Sequence, residues 1–151
     1  MTEQVIVSLK GLQRMGEENG EPIELVSQGT YRYEDGNHRI QYEEIDEEEQ
    51  KVTNVTVIAN ESHVEIVKRG LNNVEMVFHE NKKTISCYQT PYGDLTLGID
   101  TSGIRVTEYG DRMEIVLDYG LHMNSSHVAD CSMEMKISCC NVLPGKTGRE
   151  L

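Results

Sequence analysis

From Gln4 to Cys139 the chain alternates apolar and polar residues, and turn-forming residues interrupt the pattern at short intervals. A period of two puts successive side chains on opposite sides of a strand. No segment of useful length carries the ~3.6-residue period of a helix. Such a chain folds as antiparallel β-structure, one hairpin after another. The run Cys87–Asp100 shows the pattern in miniature. One alternating segment ends at Thr90-Pro91-Tyr92-Gly93, where proline at the second position presets φ and glycine at the fourth suits the exit of a type I turn. Leu95, Leu97 and Ile99 then share one face, with Thr96, Gly98 and Asp100 on the other.

Taken in order, the chain predicts about ten strands. The first four are Gln4–Leu12, Ile23–Glu34, His38–Asp46 and Lys51–Ala59. Ser62–Arg69 follows, then a strand carrying Val74, Met76 and Phe78, then Lys83–Thr90. The strand after Gly93 breaks at Asp100–Gly103 and resumes through Ile104 and Val106. Met113, Ile115, Leu117, Tyr119 and Leu121 form the longest apolar alternation, and His127–Cys139 is the last strand. Asp35-Gly36-Asn37 and Gly110-Asp111 are hairpin signals. Met15–Gly20 reads as a polar turn, and Gly29 as a bulge or sharp bend inside a strand. His38, Ile40 and Tyr42 fall on one face of the third strand.

A long meander with one apolar face must meet a second sheet or close on itself, and closure removes the exposed edges. The even spacing and the bend glycines favour the fold class all-β, a single antiparallel up-and-down barrel of about 8–10 strands. Its domain spans residues 1–140, with 141–151 as a flexible tail. A chain of 151 residues fits one domain and buries roughly two-thirds of its unfolded surface.

The charge balance, 14 basic against 26 acidic residues for a net −12, excludes classes of partner. Phosphate backbones need a basic stripe, and anionic membranes attract basic segments, so no nucleic acid and no membrane partner is expected. Met1–Lys10 has neither a basic n-region nor a long apolar h-region, and no stretch approaches the ~18 apolar residues of a membrane helix. These features, with four cysteines read as reduced thiols, predict a cytoplasmic protein. The Asn-x-Ser/Thr triplets at Asn54, Asn60 and Asn124 are then chance matches.

Few motifs invite chemistry. A four-residue loop at Met123–Ser126 would set His122 opposite His127 with Cβ atoms about 5 Å apart. Cys131, four residues further along one strand, would lie roughly 13 Å away, so two ligands remain and no metal is assigned. Neighbouring side chains in a strand point to opposite faces, which argues against chelation by Cys139-Cys140. Cys87 and Cys131 read as small buried hydrophobes. The acidic run Glu43–Glu49 lacks calcium-loop spacing and reads as a solvated hairpin tip. Gly145-Lys146-Thr147 lacks the glycine five positions earlier that a phosphate loop needs, since Cys140 stands there. No cofactor is assigned. No Gly-x-Ser-x-Gly elbow occurs, and an enzyme is the least supported class.

Gly29-Thr30-Tyr31-Arg32-Tyr33, Ile40-Gln41-Tyr42-Glu43-Glu44, Thr90-Pro91-Tyr92-Gly93-Asp94-Leu95-Thr96-Leu97 and Asp118-Tyr119-Gly120-Leu121 together resemble the YwiB-like family of small bacterial proteins. The resemblance runs from about Val5 to Ile137. It implies a lipocalin-like (calycin-type) barrel and no particular activity, and it carries over no functional residues. Barrels of this size are filled or hold one small ligand. The leading expectation is therefore a binding module for a small, partly apolar molecule, with Tyr42, Tyr88, Tyr92 and Arg105 as candidate polar contacts. The alternative is an interaction module with a filled barrel.

Overall fold

The computed structural model describes residues 2–15, 18–19, 23–46, 48, 50–70, 72–124 and 126–139. The tail at 141–151, Cys140, Gly145-Lys146-Thr147 and part of both the Met15–Gly20 turn and the acidic tip lie outside them. The described residues form eleven strands: β1 (Thr2–Met15), β2 (Glu18–Asn19), β3 (Ile23–Glu34), β4 (Asn37–Asp46), β5 (Lys51–Ala59), β6 (His63–Arg69), β7 (Asn73–His79), β8 (Lys83–Thr90), β9 (Gly93–Tyr109), β10 (Arg112–Met123) and β11 (Ser126–Cys139). Among the described residues, no helix is long and apolar enough to cross a membrane. Each strand pairs antiparallel with its neighbour in sequence, except that β3 passes the two-residue β2 and pairs with β1. The first and last long strands then meet. β1 pairs with β11 from Val5↔Cys139 to Arg14↔Asp130, which closes a ten-stranded up-and-down barrel. Closure leaves no open sheet edge along that ladder, the hazard of a long meander.

The turns follow local chemistry. Asp35 and Gly36 both have positive φ, 54° and 81°, as a two-residue I′ hairpin requires. Thr90 pairs with Gly93 across Pro91-Tyr92. Its hydroxyl donates to the Gly93 carbonyl (2.7 Å) and accepts from the Tyr92 amide (3.1 Å).

Two features differ from the sequence expectation. No register shift falls at Gly29: the β1–β3 ladder runs through its pairing with Val5, and the β3–β4 ladder ends at its pairing with Tyr42. The expected break at Asp100–Gly103 is instead a bulge within continuous β9. Tyr119 pairs with Thr101 and Asp118 with Gly103, so Ser102 is the extra residue. The bulge changes which parity faces inward, from Ile99 and Thr101 to Ile104 and Val106.

The inward faces fill the waist. Phe78, Ile40, Val64 and Ile99 are fully buried, with Leu117 and Val57 almost so. Phe78 meets the Tyr119 ring edge-on, centroids 4.8 Å apart at 66°.

Burial pushes the phenols of Tyr42 and Tyr119 well above their ordinary range, with added contributions from Glu44 and Cys131 respectively. Both are held neutral in the fold. An acid whose pKa is raised by folding leaves stability intact below its unfolded value, about 10 for tyrosine, and lowers it as pH climbs from there toward the folded value. The denaturant midpoint should therefore fall steeply above about pH 10, and Tyr119→Phe should lessen that slope. An unchanged slope in the variant would contradict the assignment.

Candidate functional site

The inward-facing pattern turns polar at the barrel end that carries the β3–β4, β5–β6, β7–β8 and β9–β10 turns. The register extends the inward face to Glu3 on β1, Tyr31 and Tyr33 on β3, His38 on β4 and Glu108 on β9. His38 is only 7% exposed. Its Nδ1 lies 2.8 Å from the Tyr31 hydroxyl and its Nε2 lies 3.9 Å from Glu108 Oε2. The Tyr31 hydroxyl is within hydrogen-bond length of Nδ1, whereas Nε2 faces the Glu108 carboxylate from beyond it. Tyr33 and the imidazole pack T-shaped, with ring centroids 5.1 Å apart.

Unequal strand lengths open this end. β8 last pairs with β9 at Lys83↔Asp100, yet β9 continues to Tyr109. Among the described residues, its far portion has no strand partner on the β8 side. Glu80 caps part of that edge by accepting a hydrogen bond from the Ile104 amide (3.3 Å). A cavity of about 760 Å³ occupies the notch, lined by Tyr31, Tyr33, His38, Val106, Glu108 and the Asn60–Ser62 turn. Asn60 donates from Nδ2 to Asn37 Oδ1 (3.0 Å), which ties the two hairpins flanking it. An adjoining hollow of about 330 Å³ shares Tyr31 and Glu108 and adds Glu3, Asp111 and Arg112. Burial pushes the Tyr31 phenol up, and the Glu108 and Glu3 carboxylates push the same way, so both anions act on one point.

At the opposite end an inward ion pair joins Lys68 Nζ to both oxygens of Glu44 at 3.3 Å. Tyr42, a sequence candidate, lies beneath it, buried, and the Glu44 carboxylate adds to the burial that raises its phenol. Tyr88 is at the same end and accepts from Asn72 Nδ2 (3.4 Å). Tyr92 is 99% exposed at the tip of its turn. Arg105 is exposed on the outer wall, out of phase with inward Ile104 and Val106. The four candidates therefore do not converge on one site: Tyr42, Tyr88 and Tyr92 share an end but differ in depth, and Arg105 is on the outer wall.

His122 and His127 do pair across β10 and β11, ring centroids 5.4 Å apart. Cys131 faces inward to Tyr119, while His127 Nε2 is engaged by Asp130 Oδ1 (2.9 Å) on the outer wall. Among the described residues, no group of three His, Cys, Asp or Glu side chains is placed to hold a metal ion.

The sequence reading placed His38 on the correct face but did not single it out. The available signal was a polar residue standing at an inward position next to a turn. His38, Tyr31 and Glu108 all have it, and each continues an apolar alternation by one more step.

The architecture is that of a lipocalin-like barrel with a packed waist and polar ends. The chain belongs to the family described as Domain of unknown function (DUF1934), which matches residues 7–135. Its fold is similar to the crystal structure of the ywiB protein from Bacillus subtilis, with a TM-score of 0.81 and 18% sequence identity over 91% of this chain and 92% of that one. No curated protein matches it.

Proposed function

We propose that this protein binds a small molecule at the His38 end of the barrel. The observation that carries the reading is His38 itself: a nearly buried imidazole, held at Nδ1 by Tyr31 with Nε2 facing Glu108, at the wall of an open cavity of about 760 Å³. That volume lies within the range of ligand pockets, which combine apolar walls with a few fixed polar groups. Val106 and the tyrosine rings supply apolar surface, and Tyr31, His38 and Glu108 supply the fixed polar groups. The filled waist favours this end over a central calyx. Binding in the cytoplasm is part of the same proposal, as is the ligand's partly apolar character.

The test is a fragment titration followed by backbone amide spectra, run on the protein and on Ser62→Trp. Ser62 is exposed on the rim, so an indole there blocks the notch without entering the core. Saturable shifts at Gly36, Val106 and Glu108 are expected in the parent and absent in the variant. Shifts that persist in the variant, or that never involve these residues, would overturn the proposal.

A further inference from the structure

Resting on that reading of the His38 end, we infer that its ligand is a small organic cation, an amine or quaternary ammonium ion carrying a short apolar body. Three observations lead there. The cavity lining contains two carboxylates, Glu61 and Glu108, and no lysine or arginine. The adjoining hollow adds Glu3 and Asp111 against one cation, Arg112. Anions outnumber cations around the opening, and the chain's net charge of −12 extends the same field outward.

The second observation is aromatic. Tyr31 and Tyr33 both line the cavity, and Tyr33 remains 57% exposed although it lies in inward register. It packs T-shaped against His38, which braces the ring, and more than half of its surface stays open to the cavity mouth. Ring faces attract ammonium groups through their quadrupole, and tyrosine is among the better partners. A cation held between such a face and a carboxylate gains from both without burying an unpaired charge.

The third is what surrounds Glu108. It stands at an inward position where β9 would otherwise place an apolar residue, opposite buried Met113. The nearest side-chain nitrogen facing it is His38 Nε2 at 3.9 Å, beyond hydrogen-bond length. Its side chain is 67% exposed, so it keeps capacity for a further partner. An anionic ligand would face two carboxylates with no lysine or arginine in the lining to offset them, and a neutral one would gain nothing from their field.

The experiment compares choline with its uncharged carbon isostere, dimethylbutanol, by amide shifts at Gly36, Val106 and Glu108 in low salt. Choline should bind about tenfold or more tightly than the isostere and weaken as salt is added. Glu108→Gln should cut choline affinity about tenfold while leaving the isostere unchanged. Glu108 is exposed, so the variant should fold, and Glu61→Gln provides an independent second carboxylate change. Equal affinity for the two probes, or choline binding that Glu108→Gln and Glu61→Gln both leave intact, would overturn the cation assignment. A neutral fragment that saturates the notch while choline does not would overturn it and leave the broader binding proposal standing. If no fragment of any charge moves these resonances, both fail.

Discussion

Phe78→Ala should lower the unfolding free energy by about 3–5 kcal/mol, the range for deleting a fully enclosed phenylalanine. Phe78 is the chain's only phenylalanine, and there is no tryptophan. It has no exposed surface and packs edge-on against Tyr119. Truncation removes the buried ring and leaves a cavity that the surrounding strands cannot easily collapse, because ladders hold their spacing. It also removes an aromatic pair worth roughly 1 kcal/mol beyond burial. Against a typical domain stability of about 5–15 kcal/mol, the loss is a large fraction of the whole. Urea unfolding followed by far-ultraviolet circular dichroism reads it as a lower midpoint at unchanged slope. Tyr92→Ala is the matched control: its ring is 99% exposed, and its loss should cost no more than about 0.5 kcal/mol. Comparable losses for the two variants would mean that the barrel is not organised around a packed waist.

Gly29→Ala should cost about 3 kcal/mol or more, at the upper end of overpacking effects. A Cβ at this position would lie 2.4 Å from the Gln41 carbonyl oxygen, 3.1 Å from Tyr42 Cβ and 3.3 Å from Val7 Cγ2. The first contact is with backbone, which can move only if β3 and β4 separate. That separation would break the Gly29↔Tyr42 pairing and draw Tyr42 from its buried place beside Glu44. The prediction is checked by the same urea titration, with hydrogen exchange showing where the damage lies. Faster exchange should concentrate in β3 and β4. A variant as stable as the parent would show that the strands are not in such close contact at this point.

Gly29 also shows why only part of the fold was legible in the sequence. A glycine within an alternating strand signals that a side chain is unwelcome. It does not distinguish a bulge from a close approach by the next strand, since both are satisfied by a missing Cβ. At Ser102 the reverse happened. Ile99 and Ile104 differ in parity, which marks an extra residue, but the intervening Asp100-Thr101-Ser102-Gly103 looks like a turn. Only the pairing of Tyr119 with Thr101 shows the chain continuing. Hairpins were more readable because their chemistry is local: Asp35-Gly36 needs positive φ and has it. Closure itself was inferred from the need to hide two edges, and β1 met β11 accordingly.

The candidate site was less legible for a geometric reason. Tyrosines were chosen as candidates by residue type, and type does not fix depth along a strand. Tyr42 lies deep, Tyr92 sits on a tip, and Arg105 follows the bulge onto the outer wall. The His38 cavity depends instead on β9 outrunning β8, a difference in strand length that is set by pairing between distant residues.

Binding at the His38 end can be read from a long-range nitrogen spectrum of the histidine side chains, recorded with and without a bound fragment. Five histidines are present, and His38 alone lines the notch between Tyr31 and Glu108. His122 and His127 lie on the outer wall, as internal references. On binding, both His38 ring nitrogens should shift and follow the same saturation curve as the Val106 amide, while His122 and His127 stay fixed. His38 signals that remain still while a ligand saturates the protein would contradict binding at this end.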